Sequence, residues 1–275
     1  MRIAAVQMDV YLGQLQDNMR RVVQRVAEAA EAGAELVVLP ECVLTGYCFE
    51  SRAEAEPVAV DLADPVWQPL QEELRHRQVY ASLGFLESTA EGRLYNASAL
   101  WGPEGVVGSY RKIHLPQLGV DRFVDRGDRP YQTLSAGPAR VGLAICYDSS
   151  FPEPMRVLGL AGADIIALST NWPVAAARTA ELVPPARSME NHLFFVAANR
   201  VGQERSFQFY GRSSICGPDG VELARAADDR ELILYADVDL QQARQKRIER
   251  TAGAHVIDRF ADRRPEFYGP VVSDD

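Results

Sequence analysis

The feature that most constrains the fold of this chain is a hairpin written twice. Asn96-Ala-Ser-Ala-Leu-Trp-Gly-Pro-Glu-Gly-Val106 resembles Arg212-Ser-Ser-Ile-Cys-Gly-Pro-Asp-Gly-Val221, offset by 115 residues (Gly102 against Gly217). In each copy a Gly-Pro-acid-Gly turn joins two arms, proline presetting φ and glycine supplying positive φ. Each copy also follows short apolar strands that alternate with helices. Ile3–Met8 reads as a buried strand. Met19, Val22, Val23, Val26 and Ala30 repeat at helical spacing behind a cap at Asp17 or Asn18, and Gly33 ends that helix. Leu36–Leu39 is a second buried strand, so the chain opens as a parallel βαβ unit. A helix over about 67–77 and strands Val79–Phe85, Leu94–Trp101 and Val106–Ile113 complete the first half.

The second half follows the same plan. Strand Val141–Cys146, a helix to about Gly162, strand Asp164–Leu168, a helix near Thr179–His192 and strand Leu193–Ala198 lead into the second hairpin. Leu232–Val238 is a last strand and Leu240–Ile248 a short basic helix. Two similar mixed sheets packed face to face, with helices outside, bury these strands. The expected fold is therefore α/β, a four-layer αββα sandwich forming a single domain over 1–275. The Pro- and Arg-containing tail, about 250–275, is expected to reach a neighbouring subunit.

Charge narrows the partners. The formal net charge is −9, and no Lys/Arg cluster stands free of interspersed acids, which argues against nucleic acid and anionic membranes and for a small molecule. No apolar run approaches the roughly 18 residues that span a bilayer, and Met1-Arg-Ile-Ala-Ala-Val-Gln lacks a signal-peptide pattern. The expected compartment is the cytoplasm. Cys42, Cys48, Cys146 and Cys216 have neither zinc nor CxxC spacing and suit reduced thiols.

Three residues stand at strand ends, where open α/β sheets place their chemistry. Pro40 stops the ladder after Leu39 and leaves Glu41 just beyond it. Only two of 29 basic residues are lysine, Lys112 and Lys246, so a lysine that survives this arginine bias is expected to be needed as a compact ammonium. Lys112 lies near the end of a hairpin arm, on one face with His114 and opposite Arg111. Cys146 ends the run Val-Gly-Leu-Ala-Ile and precedes Pro152 and Glu153, which suit a helix start; a nearby helix N-terminus favours thiolate. Read alone, each has an ordinary structural role: a solvated acid, an exposed lysine, a small hydrophobe closing a strand. Tyr47 and Phe49 offer pocket walls in the 42–66 loop, and the long loop from Leu115 to Ser135 lines the same end. Asn171 and Trp172 turn at the end of another strand and offer an amide and an indole.

Leu-Pro-Glu41, Tyr-Arg-Lys112-Ile-His-Leu, Cys146-Tyr-Asp with Phe-Pro-Glu153, Asn171-Trp-Pro, Arg187 through Glu190-Asn191, Asn199-Arg200, and Gly211 with Ser213 together resemble the nitrilase superfamily of carbon–nitrogen hydrolases. The resemblance implies the αββα fold, a homodimer or larger homo-oligomer, no cofactor or metal, and a Glu41, Lys112, Cys146 catalytic set. In that scheme Glu41 takes the proton of Cys146, and Lys112 with the Tyr147 N–H stabilises the developing negative charge. Relatives commonly carry a second glutamate between the lysine and cysteine motifs. Here Leu118–Phe123 has none, and Asp121 is the nearest acid. Tyr147-Asp148 resembles the amidase and carbamoylase branches, and the nitrilases proper usually have Trp-Glu. Amide hydrolysis therefore leads, with nitrile and N-carbamoyl substrates as alternatives; Arg187 or Arg200 would have to serve a carbamoyl substrate's carboxylate. Outside this scheme stand a Cys-His dyad through His114 and a non-catalytic binding protein that keeps the fold.

Overall fold

The computed structural model describes residues 1–273. In chain order the first half contains β1 (Arg2–Gln7), α1 (Leu15–Glu31), β2 (Leu36–Val38), α2 (Arg52–Ala55), α3 (Gln68–Arg77), β3 (Tyr80–Ser88), β4 (Leu94–Gly102) and β5 (Gly105–Arg111). The second half contains β6 (Thr133–Ala136), β7 (Ala139–Ile145), α4 (Pro152–Leu160), β8 (Ile165–Thr170), α5 (Ala177–Asn191) and β9 (Phe194–Asn199). A small ladder of β10 (Gln203–Glu204) with β11 (Phe207–Gln208) follows, then β12 (Ser214–Cys216), β13 (Glu222–Arg225), β14 (Leu232–Asp237) and α6 (Leu240–Arg244). The chain closes with β15 (Arg247–Thr251) and β16 (His255–Asp258).

The strands form two six-stranded sheets, ordered β14-β1-β2-β3-β4-β5 and β13-β12-β9-β8-β7-β6. In the first, β1, β2 and β3 run parallel and β3-β4-β5 antiparallel. In the second, β7, β8 and β9 run parallel and β9-β12-β13 antiparallel. Each sheet is edged by one further antiparallel strand, β14 on β1 and β6 on β7. The repeated hairpin thus marks a repeated sheet. Side-chain alternation divides the layers: Ile3, Ala5, Leu36 and Val38 enter a core shared with Val141, Leu143 and Ile145 of the second sheet. Ala4, Val6, Val37 and Leu39 face Met19, Val22 and Val26 of α1 and Leu70 and Leu74 of α3. Each fully buried Val, Leu, Ile or Met side chain stabilises the sandwich by about 1.5–3 kcal/mol.

Several local expectations are corrected. Helix α1 starts at Leu15, and Asn18 is inside it, its side chain clamping the backbone of Tyr11 and Leu44 instead of capping. Strand β5 ends at Arg111, so strand alternation does not set the relation of Lys112 to His114. The expected loop up to Ser135 contains the edge strand β6. The expected basic helix stops at Arg244, and the tail folds into the β15–β16 hairpin followed by 3-10 turns. Residues 274 and 275 of that tail lie outside the described residues. Among the described residues no helix is long and apolar enough to cross a membrane.

Candidate active site

Glu41 sits in the turn after β2, packed onto β3 at Gly84. A Cβ at Gly84 would lie 2.6 Å from both Glu41 Cα and Cys42 N, so only glycine allows this close approach of backbone to strand. The second sheet also holds the turn, because Ser169 Oγ at the end of β8 donates to Leu39 O at 2.8 Å. Lys112 follows β5 directly and is pinned by its own main chain: its N donates to Asn96 O and its O accepts from Gly127 N.

The Lys112 Nζ is wholly buried between two carboxylates, 2.7 Å from Glu41 Oε1 and 2.5 Å from Asp121 Oδ2. Asn96 Nδ2 spans the same pair, 2.7 Å from Glu41 Oε1 and 2.9 Å from Asp121 Oδ1, and Tyr47 Oη donates to Asp121 Oδ2 at 2.7 Å. Gly119, at φ 50°, brings the Asp121 turn against Tyr47: a Cβ there would meet the Tyr47 ring at 2.4 Å. Burial alone would lower the Lys112 ammonium, but Asp121 and Glu41 hold it well above its ordinary value. Burial raises Glu41, partly offset by Lys112 and raised further by Asp121. Burial and the neighbouring carboxylates, Asp121 first, also push the Tyr47 phenol well up, so it remains a hydrogen-bond donor.

Cys146 stands on a backbone kink, φ 40°, where β7 turns into a 3-10 turn over Cys146–Ser150. That kink is a strained conformation for a residue with a Cβ, and the turn beneath it is held from several sides. Asp148, buried, accepts from Ile145 N, from Tyr110 and Tyr131 Oη, and from His114 Nδ1 at 2.7 Å. Ser149 Oγ donates to Cys146 O, and Arg187 on α5 donates to the carbonyls of Ser149 and Ser150. The thiol is 8% exposed and lies beside Thr170 and the Asn171 N–H. Burial first, and then the charge of Glu41, push it up to about 12. This corrects the thiolate expected from a helix N-terminus: α4 begins only at Pro152, and desolvation outweighs it. Cys146 therefore rests as a thiol, and any deprotonation of it would need a base.

Other candidates separate clearly. Tyr147 is 38% exposed, with its ring edge-on to Phe151. Trp172 is buried in the core, and its main-chain N–H donates to Asn199 Oδ1. Asn171 is buried with both carboxamide atoms unpartnered among the described residues, as are Glu41 Oε2 and Thr170 Oγ1. Arg200 is consumed by Glu204, Asp9 and Val10 O, and Arg187 by Glu190 and the Cys146 turn. His114 is held by Asp148 and stacked on Phe151. The second rare lysine, Lys246, donates to the Asn191 and His192 carbonyls at the end of α5, favourable partners for a cation. The residue that sequence reasoning missed is Asn96. Its signal was a carboxamide within the mostly apolar arm Leu94–Trp101.

The amidase of Nesterenkonia sp. superposes with a TM-score of 0.80 at 24% identity, over 99% of this chain and 96% of that one. The sandwich is therefore the fold of that amidase. Residues 2–248 match the carbon–nitrogen hydrolase family model, and the chain belongs to that family. A nitrilase of Pyrococcus abyssi is 37% identical over 97% of this chain and 98% of its own length. An (R)-stereoselective amidase of Pseudomonas sp. is 36% identical over 90% of this chain and 88% of its own. The omega-amidase of Homo sapiens is 30% identical over 82% and 84%.

Proposed function

We propose that this carbon–nitrogen hydrolase cleaves small amides to the acid and ammonia through a thioester on Cys146. Glu41 Oε2 takes the thiol proton as the sulfur–carbon bond forms. The carbonyl electron pair moves to an oxyanion held by Lys112 and the Tyr147 N–H. Glu41 returns the proton to the leaving nitrogen, ammonia departs, and the thioester remains. Water then attacks with Glu41 again as base, and the expelled sulfur recovers its proton from Glu41. In this reading Asp121 takes the place of the relatives' second glutamate, and Asn171 with Trp172 and Tyr47 lines the substrate's end of the site.

One observation carries the preference for amides: Glu41, whose charge acts on the Cys146 thiol, and Asn171, whose N–H lies beside it, hold buried acceptors without donors. Glu41 Oε2 and Asn171 Oδ1 are both unpartnered among the described residues. A primary amide brings two N–H donors to such acceptors. A nitrile nitrogen can accept from Asn171 Nδ2 but brings no donor, so it leaves Glu41 Oε2 and Asn171 Oδ1 unpaired, at about 1–3 kcal/mol each. N-carbamoyl amino acids are disfavoured because Arg187 and Arg200 are already engaged with the protein's own carbonyls and carboxylates. The names of the amidase relatives point the same way.

The assembly belongs to the same reading. Val157, Leu160, Leu182 and Met189 on α4 and α5 are exposed, as are Phe267 and Val272 of the tail, which suits a homodimer joined through this face. Four free cysteines suit a reducing, cytoplasmic compartment. The test is ammonia release over a panel of aliphatic and aromatic amides, nitriles and N-carbamoyl amino acids, with Cys146→Ala as the blank. Amides are expected to exceed their matched nitriles in kcat/KM. Nitriles turned over faster would contradict the reading, and a monomer in sedimentation equilibrium would remove the dimer.

A further inference from the structure

Asn96 is the only side chain, among the described residues, that donates to both carboxylates flanking Lys112 without being Lys112 itself. It sits wholly buried near the start of β4. Its amide nitrogen has two hydrogens, and each is given to a different residue: one to Glu41 Oε1, one to Asp121 Oδ1. Its amide oxygen faces Cys42 Sγ at 3.6 Å, which fixes the flip of the carboxamide, and its main-chain oxygen accepts from Lys112 N. One residue therefore holds the main chain of Lys112 and the side chains of both of its partners.

The two oxygens of Glu41 are made unequal by this arrangement. Oε1 accepts from Lys112 Nζ and from Asn96 Nδ2, while Oε2 is buried and has no donor among the described residues. We infer that Asn96 is a positioning residue that occupies Oε1 of Glu41 and so leaves Oε2 as the oxygen that takes the proton from Cys146. This rests on the role proposed above for Glu41 as base. Asn96 touches neither substrate nor thiol in this scheme; it acts through Glu41. Its bond also favours the ionised carboxylate, opposing the rise that burial imposes.

The test is kcat/KM against pH for the wild type, Asn96→Ser and Asn96→Leu, with Glu41→Gln and Cys146→Ala as controls. Loss of the Asn96 donor lets Glu41 rise further, so the acid limb moves to higher pH. Misplacement of the base lowers kcat by about 10²-fold with KM little changed. Activity that drops equally at every pH, with the acid limb unmoved, would mean that Asn96 only supports the fold and would overturn the inference. If neither Asn96 variant folds, Asn96→Gln, whose longer arm displaces the donor from Glu41 Oε1, must shift the limb the same way; an unmoved limb there also overturns it. Retained turnover in Glu41→Gln or Cys146→Ala would instead defeat the underlying reading, which the Asn96 variants alone do not.

Discussion

The two sheets repeat one another strand for strand, yet they carry different chemistry. In the first, the hairpin arms β4 and β5 are 9 and 7 residues long; in the second, β12 and β13 are 3 and 4. The long hairpin reaches the strand-end face of the sandwich and delivers Asn96 and Lys112, both fully buried. The short one ends in half-buried Arg225, whose guanidinium binds Glu222 at the surface. The parallel strands diverge as well. Strand β1 ends at Gln7, which hydrogen-bonds the Asp228 and Arg230 carbonyls, whereas β7 ends in the kinked Cys146. The frame is repeated, and the departures from it bring together a carboxylate and an ammonium from one sheet and a thiol from the other. Such a centre exists only when the two sheets are packed together.

Lys112→Met tests the first sheet's contribution most severely. It leaves Glu41 and Asp121 buried without their cation, a change that costs about 3–5 kcal/mol, and it removes an oxyanion donor worth about 10²–10³ in rate. Urea unfolding and kcat measured side by side should show both losses. A stable, active Lys112→Met would mean that neither the two carboxylates nor the oxyanion needs this cation. Asp121→Asn should lower kcat/KM by about 10²-fold while leaving the protein folded. Because the Asp121 charge helps to raise Glu41, its removal should move the acid limb of the pH profile downward, opposite to the shift expected for Asn96→Ser. Tyr47→Phe, which deletes one donor to Asp121, should cost about 1 kcal/mol, a several-fold loss in kcat/KM.

The smallest expected effect contrasts the two lysines. Burial, the leading cause, lowers Lys246 to about 8 from an ordinary 10.5, whereas Lys112 is held above its ordinary value. Between these pH values the unfolded chain binds the extra proton at Lys246, so stability should rise as pH climbs from about 8 toward 10.5. Lys246→Met should lack that rise in pH-dependent urea unfolding. An identical slope in both proteins would place Lys246 in solvent.

The sequence made the strand-end trio legible because each member follows a readable strand: Pro40 marks the stop before Glu41, scarcity marks Lys112, and an apolar run points at Cys146. The repeated hairpin likewise announced two sheets. What stayed hidden depends on contacts between distant segments. Asn96 reads as one polar residue in a hairpin arm until Glu41 and Asp121, 55 and 25 residues away, are brought to it. Asn18 has the residue type of a helix cap, but tertiary hydrogen bonds to Leu44 and Tyr11 place it inside α1. Local sequence shows a helix start beside Cys146 but not the desolvation that burial in the folded chain imposes on it. Strands β6, β15 and β16 are short, partly exposed and antiparallel, so neither apolar runs nor strict alternation betrays them.

The central claim, that a thiol from one sheet is activated by a base from the other, is tested most directly by trapping the acylated enzyme. Acid quench of wild type during turnover of an amide, followed by intact mass and peptide mapping, should find one acyl group on the peptide carrying Cys146. Hydroxylamine should release it, Cys146→Ala should carry none, and Glu41→Gln should form it far more slowly than wild type. Acylation at Cys42, Cys48 or Cys216, or full turnover in Cys146→Ala, would contradict the account.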